Sequence, residues 1–177
     1  MNTKQRDISE LVGAYPTCPL CGSEEVLRDA HASWSKISNE WELSNTFDHF
    51  DCNACGNEIT PEWQIDATFR KKRIRRLNDQ LRKGESLPHA TIVYTQGVMA
   101  LGHTGIAEIK ERVSAFDQFD PENDPRNEHD FGQVKLGHQK IFFKIDYFDL
   151  EMKHLSPDPA NPEITHRVLT VMLAEEY

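Results

Sequence analysis

The chain has 177 residues, room for one medium domain or for a small one beside a medium one. It is 38% hydrophobic and 28% charged with a formal net charge of −9, and no apolar run approaches the roughly 18 residues of a membrane-spanning helix. These numbers exclude an integral helical membrane protein and a uniformly basic nucleic-acid binder, and Met1 to Glu10 is too polar for a secretory signal, so the chain reads as cytoplasmic. The average hides an asymmetry: residues 1–64 carry 4 basic and 11 acidic groups, residues 65–83 carry 8 and 2, and residues 84–177 carry 8 and 16. A basic block set in an acidic protein marks a place for function.

Met1 to Pro16 reads as a polar lead-in with one helical turn around Ile8, Leu11 and Val12. Two Cys-x-x-Cys-Gly knuckles follow, Cys18-Pro-Leu-Cys21-Gly22 and Cys52-Asn-Ala-Cys55-Gly56, which use all four cysteines. Four thiolates so grouped suit one tetrahedral Zn²⁺, and the glycine after each second cysteine lets the backbone turn so that amides face the sulfurs. A redox pair or two disulfides is the competing reading. A reduced cytosolic setting and the doubled motif favour the metal, held structurally with no open coordination position. The 30 residues between the knuckles exceed the usual spacing and predict an elongated hairpin.

Within that hairpin, Glu25–Arg28 suits a short strand, Ala32–Ile37 and Trp41–Phe47 alternate apolar and polar residues as half-buried strands do, and Ser38-Asn39-Glu40 reads as the turn. The expected module is an all-β zinc ribbon over 14–62 of about three strands. Trp34, Trp41, Phe47 and Phe50 are expected to fill its thin core rather than to stack on nucleic-acid bases, and His31 and His49 to be ordinary strand histidines.

A basic connecting helix is expected over 63–84, without Gly or Pro in its body and with Gly84 past its end. Ile74, Leu77 and Leu81 form its apolar stripe, while Arg70, Lys71, Lys72, Arg75, Arg76 and Arg82 are candidates to contact nucleic-acid phosphate or an acidic partner. A clamp onto the protein's own acidic surface competes for the same cations.

An α+β domain is expected over 85–177. Thr91–Thr95 is a strand, Gly97–Gly105 a glycine-rich turn without a nucleotide fingerprint, and Ile106, Ile109, Val113 and Phe116 mark the buried face of a helix. Asp117 to Asp130 is an acidic loop. Glu128, His129 and Asp130, with Asp146 on a following strand, are the catalytic candidates if the chain is an enzyme, and Asp149-Leu-Glu151-Met-Lys153 is a faint nuclease-like pattern. Phe131–Leu136 and Lys140–Phe148 form a hairpin around Gly137-His138, its second strand apolar on both faces and covered by helices. After a proline-rich loop, Asn161 and Pro162 open a last helix with Ile164, Val168, Val171 and Met172 on its buried face.

Arg76–Arg82, Phe116–Pro125, Glu128–Gly132, Phe143–Asp149, Ser156–Pro159 and Arg167–Tyr177 resemble an uncharacterised bacterial family, domain of unknown function 3768, over roughly 74–177. The amino-terminal segment resembles a zinc-ribbon extension carried by some relatives. The resemblance implies a bacterial protein associated with mobile elements. It brings no activity and no catalytic residues.

The sequence therefore predicts an α+β protein: an amino-terminal zinc ribbon, then a small antiparallel hairpin sheet packed by two to three helices. The leading functional expectation is a non-enzymatic accessory protein acting on nucleic acid or a nucleoprotein complex, as a regulator, an inhibitor of host defence or an acidic DNA mimic. The rival is a small metal-dependent hydrolase or nuclease built on the acidic loop and the hairpin, for which no nucleophile-elbow, HExxH or P-loop signature is present.

Overall fold

The computed structural model describes residues 8–177; the first seven residues of the polar lead-in lie outside them. The chain divides into two compact units, residues 1–66 and 67–177. Both α and β elements are present, and the amino-terminal unit is built of strands. No helix among the described residues is long and apolar enough to cross a membrane.

In the first unit a short 3₁₀ turn, Ile8–Glu10, precedes β1 (Ala14–Thr17). Strands β2 (Val26–Ser35) and β3 (Glu40–Cys52) form the long hairpin between the knuckles, paired from Val26↔Cys52 to Ser35↔Glu40, and β4 (Glu58–Ile59) adds to β3. Asn39, at φ 58, closes the turn in the left-handed region that asparagine tolerates. Strand β5 (Glu62–Ile65) returns antiparallel to β1, a pairing that Pro16 conceals in the sequence because proline is admitted only to strand edges.

The aromatic side chains do not form the expected core. Trp41 is 70% exposed, Trp34 and Phe47 are also exposed, and Ile37 at the tip is fully exposed. The far part of the hairpin is two strands with no layer over either face, so Trp34 and Trp41 can only lean on each other, edge to face at 5.7 Å. Among the described residues of this unit, the only buried side chains are Cys18 and Cys52.

The second unit opens with α1 (Ala67–Arg82), ended by Gly84 at φ 76, where Gly84 and Glu85 donate backbone N–H bonds to Leu81 and Gln80. Its apolar stripe is buried as expected, but α1 is part of the second compact unit rather than a connector standing between two. β6 (Ala90–Tyr94), the short α2 (Gln96–Met99) and α3 (Gly102–Ala115) follow, then β7 (Phe131–Leu136), β8 (Gln139–Phe148) and β9 (His166–Leu173). The sheet order is β6-β9-β8-β7, with β6 parallel to β9 and the remaining pairs antiparallel.

The expected last helix is β9, followed by a 3₁₀ turn at Ala174–Glu176. Ile164, Val168, Val171 and Met172 match helical spacing, yet Arg167, Val168, Leu169, Val171, Met172 and Leu173 are all buried, the near-continuous run of a central strand covered on both sides. β8 corrects in the opposite sense. It buries Ile141, Phe143 and Ile145 on one face, while Lys144 and Asp146 pair at 2.8 Å on the other, partly open face.

The core joins Leu81 of α1, Val98 of α2, Ile109 and Val113 of α3, and the inward side chains of the sheet. Gly132 of β7 sits opposite Phe143, and a Cβ at this position would overlap the Phe143 and Phe116 rings. Gly132→Ala is expected to cost about 1–3 kcal/mol, seen as a lower denaturation midpoint of the second unit with an unchanged denaturant slope.

Candidate functional site

The two knuckles repeat one local geometry. Cys18 N–H donates to the Ser23 carbonyl and Gly22 N–H to the Cys18 carbonyl; Cys52 N–H donates to Asn57 and Gly56 N–H to Cys52, all at 2.8–2.9 Å. Gly22 (φ 75) and Gly56 (φ 68) supply the left-handed step that swings the next amide toward sulfur. The backbone N–H of Ser23 reaches Cys21 and that of Asn57 reaches Cys55, whose sulfur also accepts from the Asn57 amide at 3.3 Å.

The register Val26↔Cys52 brings the knuckles together, so that the four sulfurs lie within 4.8 Å of one another, with Cys18–Cys55 at 3.9 Å and Cys21–Cys52 at 3.6 Å. Cys18, Cys21, Cys52 and Cys55 could thus hold one metal ion. Their proton affinities are pulled apart. The Asn57 side chain and backbone hold the Cys55 thiol down at about 6, whereas Cys21, despite the Ser23 amide, is pushed up to about 12 chiefly by the Cys52 and Cys18 sulfurs. Four thiolates cannot share so small a volume without a cation among them.

On α1 the candidate cations divide. Arg82 is only 5% exposed; its Nη1 donates to the Val113 and Ser114 carbonyls at the end of α3, its Nη2 to Asp79 at 2.9 Å, and its guanidinium lies over the Phe119 and Phe143 rings. Arg82 is thus no candidate for phosphate contact. It satisfies the carboxyl end of a helix, where a cation is favoured. Arg70 pairs with the fully buried Asp158 at 2.8 Å, and Arg73 Nε donates to the Ala160 carbonyl at 2.9 Å. Arg75 donates to Asn127. Lys71, Lys72, Arg76 and Lys83 are exposed and, among the described residues, form no ion pair. At 100° per residue, these four and Arg75 fall within an arc of about 140° on α1.

The catalytic candidates are each held by a neighbour, with Arg126 reaching both Glu128 (3.6 Å) and Asp130. Arg126 pairs with Asp130, Tyr147 donates to Glu128 at 3.4 Å, and Asp146 is tied to Lys144. His129 Nδ1 meets the two Asp79 oxygens at 2.9 and 3.1 Å, while its Nε2 faces Asp124 at 3.9 Å and its ring stacks on Phe119 at 3.7 Å. His129 and Asn127 hold positive φ (57 and 56), supported by Asp124, whose carboxylate accepts the Glu128 and His129 amides. Asp79, Arg82, Asp124 and His129 line a cavity of 770 Å³. Asp79 on Nδ1 thus tethers His129, and with it the loop, to α1, while Nε2 makes no hydrogen bond to Asp124. Asp149 accepts from the Lys153 amide and Lys153 Nζ reaches Glu151, so that pattern is an exposed turn.

Sequence reasoning missed Asn78 and Arg167. Asn78 is fully buried and donates to the Glu128 carbonyl (2.8 Å) and the Tyr147 hydroxyl (2.6 Å). Arg167, almost fully buried, donates to the Asn78 oxygen and the Pro159 carbonyl, and burial pulls its guanidinium down to about 10. The signal available was a lone arginine inside the apolar run of β9.

Fold and site together define an α+β protein with a strand-built unit whose four clustered cysteines could hold a metal ion, ahead of a helix-backed mixed sheet. Residues 94–176 match the family described as Protein of unknown function (DUF3768); the match begins at the end of β6 and leaves α1 outside. No curated protein matches the chain, and no solved structure does.

Burial alone would raise the Asp79 carboxyl, but the Arg82 and His129 contacts outweigh it and hold the group below its ordinary value of 3.8. A depressed carboxyl stabilises the fold above its ordinary value and loses that contribution as pH falls through the folded one. Wild-type stability should therefore fall off below about pH 4, and Asp79→Asn should be less stable at neutral pH with a shallower acid decline, as measured by denaturant titration across pH.

Proposed function

We propose that the protein is a non-enzymatic zinc-ribbon accessory factor that binds nucleic acid along the outward face of α1. The observation that carries this reading is the stripe of Lys71, Lys72, Arg75, Arg76 and Lys83, left exposed or half-exposed while Arg70, Arg73 and Arg82 are turned inward. A net charge of −9 does not oppose it, because charges beyond a Debye length of about 8 Å at physiological salt are largely screened and a phosphate strand responds to the local face.

Zinc fits the amino-terminal site. Four ligands at about 2.3 Å in a tetrahedron place their sulfurs about 3.8 Å apart, and the Cys21–Cys52 and Cys18–Cys55 separations of 3.6 and 3.9 Å bracket that spacing. A closed tetrathiolate polarises no substrate; it holds its fold. The rival hydrolase reading lacks support of this kind, since Glu128, His129, Asp130 and Asp146 are each already engaged with a neighbouring side chain.

Binding to a labelled duplex, followed by fluorescence anisotropy, should weaken with salt at a log–log slope no steeper than about −4.5, the limit for five phosphate contacts. Lys72→Glu with Arg76→Glu should abolish it, and Lys153→Glu, on the exposed turn, should not. Absence of binding at low salt, or binding indifferent to the α1 reversals, would overturn the reading. Thiol modification should release the cysteine-bound zinc and unfold the first unit, with the near-ultraviolet signal of Trp34 and Trp41 reporting the loss.

A further inference from the structure

A second group of donors lies in the amino-terminal unit, apart from the cysteines. Asp29, His49 and Asp51 each offer a ligand atom, and these atoms lie within 4.8 Å of one another. The sheet explains why. Asp51 pairs with Leu27 of β2 on one side and with Glu58 of β4 on the other, so the three share one face; His49 is two residues from Asp51 and falls on that face too. It is opposite to the face of Cys52. Between the pairs Arg28↔Phe50 and Ala30↔Thr46 the register shifts, so that Phe47, Asp48 and His49 of β3 stand against Asp29 alone; the bulge is in β3 and sets His49 beside Asp29.

The electrostatics of this face are unresolved by the protein's own cations. Among the described residues, Asp29, Asp51 and Glu58 pair with no lysine or arginine; the neighbouring Arg28 is turned to Asp48 and the Phe47 carbonyl. His49 Nε2 stands 3.5 Å from Asp51 and Nδ1 stands 3.4 Å from Glu58. Both distances are long for a hydrogen bond. A nitrogen and an oxygen bound at about 2.1 Å to one ion lie roughly 3.0–3.4 Å apart, close to the His49–Asp51 separation.

We propose that Asp29, His49 and Asp51 form a second metal site, for a divalent first-row cation of the zinc type. His49 binds through Nε2, Asp29 and Asp51 bind through carboxylate oxygen, and Glu58, 3.4 Å from Nδ1, faces the other ring nitrogen from the side a carboxylate takes in a carboxylate–histidine–metal arrangement. Unlike the tetrathiolate, this set leaves coordination positions for water or for an oxygen of a partner. A mixed nitrogen–oxygen donor set binds zinc less tightly than four thiolates do, so the two sites fill in order.

The test is a zinc titration of the full chain at neutral pH, with bound metal counted by mass spectrometry of the element and the His49 ring followed by nuclear magnetic resonance. Two equivalents per chain are expected, the second perturbing the His49 Nε2 resonance. His49→Ala and Asp51→Asn should each reduce the count to one with the cysteine site intact, and Asp48→Asn, which removes the partner of Arg28, should leave two. A single equivalent in the wild type, a second that survives both substitutions, or a His49 ring that titrates with protons and ignores zinc would overturn the proposal. The wild-type resonance decides the matter even where a variant fails to fold.

Discussion

Asn78 lies wholly buried in the middle of α1, with its amide nitrogen shared between the Glu128 carbonyl and the Tyr147 hydroxyl and its oxygen taking the Arg167 Nε–H. A buried amide stripped of such partners costs about 1–3 kcal/mol, so α1 cannot turn about its axis without breaking contacts to the acidic loop, β8 and β9 at once. That fixed rotation decides the fate of every charge on the helix. Arg70, Arg73 and Arg82 face the domain and close the Asp158–Ala160 segment and the end of α3, and the remaining cations are left together outside. The same rotation sets Asp79 against His129, and with it the course of the loop from Phe116 to Asp130.

The amino-terminal unit rests on a different principle. Its described residues bury two side chains, both of them cysteines of the four-sulfur cluster. Small units without an apolar core depend on metal or disulfide for stability. The four sulfurs therefore occupy the place that Leu, Val and Phe fill in the second unit. The long hairpin extends from that anchor with its aromatic side chains in solvent.

Where the sequence could be read, one local rule decided the outcome. The knuckles, the hairpin between them, the body of α1 and its glycine stop, and the β7–β8 turn each follow from spacing within a few residues. Where the reading failed, the deciding partner was distant or the rule had two solutions. The inward polar side chains of α1 meet groups 31 to 89 residues away, as with Arg82 on Val113 and Asn78 on Arg167, which no helical projection reveals. The run ending in Val-Leu-Thr-Val-Met-Leu satisfies helical spacing and a buried strand alike, and its β-branched content was the cue for the strand. The assumption that tryptophan must be inside misplaced Trp34 and Trp41, because a unit organised by sulfur has no inside to offer them.

The position of β9 bears on how the second unit comes into being on the ribosome. The last strand in the chain lies between β6 and β8, and Thr91 meets His166 across 75 residues. Until that strand emerges from the exit tunnel, β6 has no neighbour, and the β7–β8 hairpin keeps an apolar flank open to water. Such non-local closure is slow and leaves strand edges unguarded while translation continues. The nascent chain accordingly passes through a stage in which half its sheet waits for the final segment, and a chaperone able to shield that flank would act there.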